Sequence, residues 1–202
     1  MNILIIGGGG REHALVWHLS KSPEKPRIFS APGSDGIGTL AETANIRVDQ
    51  IPHLVQFARE KKIDSAVVGP EQPLVAGLVD ELTKAGIPAV GPTRAAAEIE
   101  GSKIFMKELM TRVGVKTAPF KVLSGKTETL TYIRHRPFPQ VLKVDGLAGG
   151  KGAFVLNELA DAWAALGMIF DSRELAEAGK RLIVEDFLPG EEASFIVLTD
   201  GE

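Results

Sequence analysis

Two lysines, Lys143 and Lys151, frame the stretch of this chain with the clearest capacity for chemistry. The apolar run Val141-Leu142-Lys143-Val144 opens into Asp145-Gly146-Leu147-Ala148-Gly149-Gly150-Lys151-Gly152. A loop so poor in side chains can fold over a polyphosphate and offer it backbone N–H groups, while the two ammonium groups neutralise its oxygens. Lys151 is followed by Gly152, not by Ser or Thr, and then by strand-forming Ala153-Phe154-Val155-Leu156. The loop is therefore expected to be a hairpin tip between two strands and not a Walker loop.

A second candidate lies at the start of the chain. Gly7-Gly8-Gly9-Gly10 stands between an apolar run and a helical pattern, where backbone amides and a helix N-terminus form a ready anion seat. One reading is a dinucleotide fold. Against it, Glu12 takes the place of the third glycine, and Ser30-Ala31-Pro32 stands where a ribose-binding acid would end the second strand. The other reading is a tight turn with no ligand. Arg11, Glu12 and His13 can add polar contacts there. Glu71, in Gly69-Pro70-Glu71-Gln72-Pro73, either favours a helix dipole or accepts hydrogen bonds from hydroxyls or an amine of a ligand.

Three further features complete the chemical inventory. Lys143, inside an apolar run beside the glycine loop, suits phosphate neutralisation better than a solvated surface role. Lys103, after Gly101-Ser102, carries no such signal of its own. In Leu182-Ile183-Val184-Glu185-Asp186-Phe187-Leu188-Pro189-Gly190-Glu191-Glu192, a strand runs into a short linker followed by carboxylates. The linker backbone can meet a planar base edge-on, and the acids suit paired ribose hydroxyls. The alternative is an acidic hairpin between two strands.

The elements that must position these groups fall into two textures. Through residue 100, short apolar runs alternate with helical patterns: strands at Ile3–Ile6, Arg27–Ser30, near Ile46–Val48, Ser65–Val68 and Pro88–Val90. Helices are expected from about Arg11 to Leu19, with Ala14, Leu15 and Leu19 on one face, after Pro52, and from Leu74 to Lys84. Such alternation means a doubly wound parallel sheet with ligands beyond the carboxyl ends of its strands. From residue 101 a helix capped by Ser102 is expected to run to Val113. Strands of antiparallel type follow at Ala118–Val122, Val141–Lys143, Phe154–Leu156, Leu182–Glu185 and Ser194–Leu198, with helices at Glu128–Arg134 and Leu159–Ile169. The reading is an α/β domain over residues 1–100 and an α+β domain over 101–202. The turn at Asp200-Gly201 with no return strand suggests a portion of a longer protein.

Composition narrows the function classes. At 202 residues the chain can bury a sizeable core. A net charge of −3 offers no global attraction to nucleic acid or to an anionic membrane, so any phosphate binding must be local. The chain contains 0 cysteines, which excludes thiolate catalysis, disulfides and cysteine-based metal sites. The cytoplasm is the expected compartment.

A glycine hairpin over a nucleotide is the architecture of ATP-grasp enzymes and, differently, of protein kinases. The kinase signatures are missing. The chain resembles the phosphoribosylamine–glycine ligases, an ATP-grasp family, from Met1 to Glu202. The resemblance rests on Gly7–Ala14 (GGGGREHA), Ala31-Pro32-Gly33, Val68–Gly77 (VGPEQPLVAG), Gly91-Pro92-Thr93, Glu100–Met106 (EGSKIFM), Lys143–Gly152 (KVDGLAGGKG) and Gly190–Phe195 (GEEASF).

That resemblance implies an N-terminal pre-ATP-grasp domain followed by the first part of an ATP-grasp domain. It implies ATP-dependent joining of glycine to 5-phosphoribosylamine in purine biosynthesis, through glycyl phosphate. By it, Lys103 and Lys143 are the catalytic phosphate lysines. Asp145, Gly146, Gly149, Gly150, Lys151 and Gly152 close over ATP. Glu185, Asp186, Phe187 and Leu188 read adenine, and Glu192 accepts the ribose hydroxyls. Gly8, Gly9, Gly10, Arg11 and Glu71 meet phosphoribosylamine. It also implies Mg2+ or Mn2+ with ligands beyond Glu202, no nucleic-acid or membrane partner, and a monomer or weak dimer. One departure is Ser34-Asp35-Gly36, where the family often has Asn at residue 34. The family is longer than this chain, so these residues alone are expected to be an incomplete, inactive portion. The competing classes are a non-catalytic nucleotide-binding module and a nicotinamide-dependent oxidoreductase.

Overall fold

The computed structural model describes residues 1–171, 181–195 and 197. It divides the chain into two compact units, Met1–Leu109 and Met110–Glu202. The first unit alternates β1 (Asn2–Gly7), α1 (Gly10–Ser20), β2 (Arg27–Pro32), α2 (Asp35–Gly38), β3 (Glu42–Thr43) and α3 (Ile51–Glu60). It continues with β4 (Ser65–Val68), α4 (Glu71–Val75), α5 (Leu78–Lys84), β5 (Ala89–Val90) and α6 (Arg94–Gly101), and α7 (Lys103–Val113) carries the chain into the second unit.

The five strands are parallel in the order β3-β2-β1-β4-β5. β1 is apolar from Ile3 to Ile6 because it is covered on both faces. Leu4 and Ile6, with Phe29, Ala31, Ala66 and Val68, join a core with Leu54 and Ala58 of α3 and Leu78 and Leu82 of α5. Ile3 and Ile5, with Ile28, pack with Val16 of α1 and Ile37 of α2. Strand order reverses between β1 and β4, so a crevice opens at their carboxyl ends. The loop after β1 begins at Gly8, and the loop after β4 is Gly69-Pro70.

Several expectations for this unit are corrected. α1 buries Glu12 and Val16, with Leu19 partly buried, while Ala14 and Leu15 face solvent. The rotation follows Glu12, which turns inward to the loop it caps. The third strand is Glu42–Thr43 and not Ile46–Val48. Ala44, Ile46 and Val48 pack on the core without pairing in a ladder. The helix expected from Leu74 to Lys84 is two helices, because Gly77 takes a left-handed conformation (φ 91°) between them. α6, capped by Thr93 Oγ1 accepting from the Ala96 N–H, carried no expectation.

The second unit contains β6 (Phe120–Leu123), α8 (Gly125–Arg134), β7 (Gln140–Val144), β8 (Ala153–Leu156), α9 (Leu159–Asp171) and β9 (Leu182–Asp186). Its antiparallel sheet has the order β6-β9-β7-β8. One face carries Leu123, Leu142, Val144, Leu156, Leu182 and Val184. They pack with Ile133 of α8 and with Ala162, Ala165, Leu166 and Ile169 of α9, a helical i, i+3, i+4, i+7 stripe. Period-two alternation therefore puts Lys143 and Glu185 on the opposite face. The expected strand Ser194–Leu198 is not regular at Ser194, Phe195 and Val197, and its other residues, like the Asp200-Gly201 turn, lie outside the described residues. No helix among the described residues is long and apolar enough to cross a membrane.

Gly77→Ala tests the break between α4 and α5. A Cβ there would meet the Arg94 side chain at an ordinary 3.5 Å, so the cost is in the backbone. The left-handed conformation should cost the variant about 1–2 kcal/mol, read as a lower urea midpoint with secondary structure retained. An unchanged midpoint would show that the glycine does not hold the break.

Candidate functional site

At the carboxyl edge of the first sheet, the four glycines have four different reasons. Gly7 ends β1 at φ 120°, and its carbonyl accepts from the buried Ser30 hydroxyl at 3.2 Å. Gly8 lies against Gly33, whose carbonyl oxygen would stand 2.2 Å from a Cβ. Gly9 is the N-cap of α1, and its N–H donates to Glu12 Oε2 at 2.7 Å. Gly10 has nothing within 4 Å of a Cβ position, so its face is open.

Glu12 is the residue that sequence reasoning undervalued. It is 4% exposed, and its carboxylate already fills the anion seat at the helix N-terminus. A dinucleotide pyrophosphate at Gly9 would have to share that seat with a buried anion, which disfavours the oxidoreductase reading on charge alone. The signal was legible as half of a capping box, an acid three residues after the N-cap. His13 sits against Gly36, with Cε1 2.7 Å from where a Cβ would be, so Ser34-Asp35-Gly36 serves to start α2 beside that ring.

Across the crevice, Arg11 pairs with Glu71 at 3.0 Å, with side chains 71% and 42% exposed. The Glu71 carboxyl is held below the usual glutamate range by its own backbone N–H at the start of α4, then by the Arg11 guanidinium. Arg11 is correspondingly raised by Glu71. These exposed groups present one cation and one anion at the crevice mouth.

In the second unit, the loop between β7 and β8 closes with Lys151 N–H donating to Ala148 O at 2.9 Å and Val144 N–H to Gly152 O at 2.8 Å. Gly149 (φ 55°) and Gly150 (φ 80°) form its tip, the paired positive angles of a tight hairpin turn, with open space around both. Gly152 is packed instead, since a Cβ would lie 2.5 Å from Val144 Cγ2. Gly146 (φ 92°) turns the chain out of β7. Lys151 projects to solvent.

At the root of this hairpin, Lys143 Nζ meets Glu185 Oε2 at 3.0 Å. The register pairs Lys143 with Ile183 and Val141 with Glu185, so the ion pair runs diagonally across neighbouring strands on one face. Glu185 is 5% exposed and Lys143 28% at the side chain. Asp145 donates its N–H to Arg181 O at 3.1 Å and lies 3.8 Å from Arg181 Nε. Asp186 is ion-paired with Arg136 at 2.8 Å, and its N–H donates to Pro119 O. Phe187, Leu188 and Glu192 are exposed. Lys103 opens α7 in the first unit, where Ser102 Oγ accepts the Phe105 N–H at 3.1 Å as the expected cap. The structure thus brings Lys143 and Glu185 together, and adds Arg136, Arg181 and Ser30, which sequence reasoning missed.

The Arg11–Glu71 pair has a pH signature. A depressed carboxyl stabilises the fold above the ordinary glutamate range, and that contribution disappears as pH falls through its lowered pKa. A carbon-detected NMR titration should find Glu71 titrating below an ordinary glutamate, and Arg11→Gln should move it upward. An unmoved titration in that variant would show that Arg11 does not hold the carboxylate in solution.

Two family models match the chain: "Phosphoribosylglycinamide synthetase, N domain" over residues 1–100 and "Phosphoribosylglycinamide synthetase, ATP-grasp (A) domain" over residues 101–202. Proteins named phosphoribosylamine–glycine ligase from Haemophilus influenzae and Caldanaerobacter subterraneus are 46% and 44% identical to it, over 100% of this chain and 48% of each relative. The chain spans about half the length of the curated relatives it matches. A crystal structure of phosphoribosylamine–glycine ligase from Thermotoga maritima aligns with a TM-score of 0.75 at 24% identity, over 95% of this chain and 45% of that one. A carboxyaminoimidazole ribonucleotide synthase from Aspergillus clavatus, solved with ATP, aligns at 0.69 and 18% identity, over 93% and 47%. The structural likenesses establish the fold, a parallel α/β unit followed by an ATP-grasp unit, and the sequence matches over the whole chain establish the lineage. The chain belongs to the phosphoribosylglycinamide synthetase family.

Proposed function

We propose that this protein is an ADP-forming carbon–nitrogen ligase that joins glycine to 5-phosphoribosylamine, giving glycinamide ribonucleotide for purine biosynthesis in the cytoplasm. The observation that carries the reading is the Lys143–Glu185 pair at the root of the glycine hairpin. A half-buried ammonium is held there at 3.0 Å by a buried carboxylate, beside a loop tip with open space at Gly149 and Gly150. The relatives at 44–46% identity carry the name of that ligase.

In this reading ATP supplies the phosphoryl group that turns the glycine carboxylate into an acyl phosphate, whose carbonyl carbon the sugar amine attacks as phosphate leaves and the amine loses a proton. The electrostatic difficulty is a carboxylate approaching a polyanion, and cations lower it. Lys143 is one such cation, preset by Glu185. Lys103 is a second, on the family resemblance. Asp145, Gly146, Gly149, Gly150, Lys151 and Gly152 form a cover that excludes water from the acyl phosphate. Gly149 and Gly150 present backbone, while Gly152 packs the hairpin base. Glu185, Asp186, Phe187 and Leu188 lead into the adenine-reading linker, and the exposed Glu192 accepts ribose hydroxyls.

We assign phosphoribosylamine to the first hundred residues, at Gly8, Gly9, Gly10, Arg11 and Glu71, and ATP to residues 101–202. With the Gly9 N–H held by Glu12, a phosphate is left the open face of Gly10 and the exposed Arg11 guanidinium, which Glu71 already holds at 3.0 Å. Among the described residues no group of three or more His, Cys, Asp or Glu side chains converges where a metal ion could be held. On the family resemblance, we assign the ligands of the implied Mg2+ or Mn2+ to residues beyond Glu202. A monomer or weak dimer completes the proposal.

Lys143→Ala alone would strand a buried carboxylate, so the informative variant is Lys143→Ala combined with Glu185→Gln, compared with Glu185→Gln. In the natural gene product, loss of one contact to the transferring phosphoryl group should cost about 3 kcal/mol, roughly a hundredfold in turnover. Near-normal phosphate release from ATP with glycine and phosphoribosylamine would make Lys143 a structural ion-pair partner only.

Glu192→Ala should raise the Michaelis constant for ATP and leave that for phosphoribosylamine unchanged. Steady-state kinetics with each substrate varied decide it. A rise for phosphoribosylamine instead would invert the division of labour between the two units.

A further inference from the structure

Glu12 is a buried acid that the reaction above does not use. It is 4% exposed; Oε2 accepts the Gly9 N–H at 2.7 Å, and Oε1 is buried with no hydrogen-bond partner among the described residues. A buried unsatisfied carboxylate oxygen costs stability, so its retention needs a reason. The reason is in the loops around it. A Cβ at Gly69 would lie 2.1 Å from Oε1, and the three nearest atoms it would meet all belong to Glu12. Gly69 has no left-handed backbone angle that would otherwise demand glycine. A Cβ at Gly7 would lie 2.7 Å from Glu12 Cγ, and one at Gly9 would lie 2.9 Å from Oε2. Three glycines, at the end of β1, at the cap of α1 and after β4, leave room for one carboxylate.

Resting on the ligase reading, we propose that Glu12 is a positioning residue for the sugar-phosphate substrate. Its carboxylate wedges the turn after β1 against the turn after β4. By filling the anion seat at Gly9, it directs the substrate phosphate one residue onward, to the open face of Gly10 and the Arg11 guanidinium. Glu12 touches no substrate; it sets the shape of the turn and its remaining N–H groups. The glycine-rich turn is thereby matched to a single phosphate group presented beside an amine-bearing sugar, and closed to the pyrophosphate that such turns otherwise receive.

The test is a space swap in the natural gene product. Gly69→Ala should expel the carboxylate and Glu12→Ala should remove it, so each should raise the Michaelis constant for phosphoribosylamine about tenfold while leaving that for ATP within about twofold. In the double variant the alanine at 69 meets no carboxylate, and adding it to Glu12→Ala should cost less than about twofold more. Glu12→Gln keeps an oxygen for the Gly9 N–H and should recover the constant to within about threefold. Glycine-labelled NMR gives a readout independent of turnover: the Gly9 amide proton should leave its hydrogen-bonded position in both single alanine variants and return in Glu12→Gln. Multiplicative effects of the two alanines, equal rises for both substrates, or an unmoved Gly9 resonance would each overturn the proposal. Should the unaltered protein release no phosphate with glycine and phosphoribosylamine, the ligase reading fails, and the Gly9 resonance alone decides whether Glu12 holds the turn.

Discussion

The first unit is organised by the burial of β1 on both faces. Ile3 and Ile5 on one side and Leu4 and Ile6 on the other leave no polar face, so helices must cover the sheet from above and below. Right-handed crossovers then place β2 and β3 to one side of β1 and β4 and β5 to the other. The reversal opens a crevice at the carboxyl ends of β1 and β4, and the polar groups of the first candidate site converge there. Arg11, Glu12 and Glu71 are separated by up to 60 positions in the chain yet meet at that edge.

Within the crevice, packing and electrostatics share the same atoms. The glycines after β1 and β4 look in sequence like a phosphate loop, but three of them stand around a side chain of this protein. Gly8 is fitted to the Gly33 backbone, while Gly7, Gly9 and Gly69 are fitted to Glu12. Only Gly10 is open. A glycine-rich turn is therefore not by itself a ligand site; what a Cβ would strike decides whether the gap is filled from within.

The second unit solves a different problem with an antiparallel sheet. Alternation gives one face to the apolar core with α8 and α9 and leaves the other for Lys143 and Glu185. Lys143, next to last in an apolar strand, loses part of its hydration, and the buried Glu185 carboxylate meets its ammonium at 3.0 Å. The pair also holds the ammonium at the root of the hairpin, while the tip at Gly149 and Gly150 has open space around it. Strand and glycine hairpin are joined at Val144, whose N–H donates to Gly152 O.

What the sequence by itself determined was most of the strands and longer helices, the change from a parallel to an antiparallel unit, and the family. Each is written in local signals: apolar runs, Gly-Pro stops, caps such as Ser102, and motifs such as KVDGLAGGKG. It also located Lys143 and the hairpin, because a cation in an apolar run and a cluster of glycines are visible without neighbours. Only the tertiary structure decided which face of α1 is buried, since that rotation answers to Glu12 reaching Gly9 and not to the apolar residues Ala14 and Leu15. It decided where the third strand pairs, since the ladder of β2 selects Glu42 and Thr43 over the more apolar Ile46–Val48. It set the Glu185 carboxylate on Lys143, because strand register joins residues 42 positions apart. Contacts of that separation depend on which strands become neighbours, and no local pattern of residues carries that information.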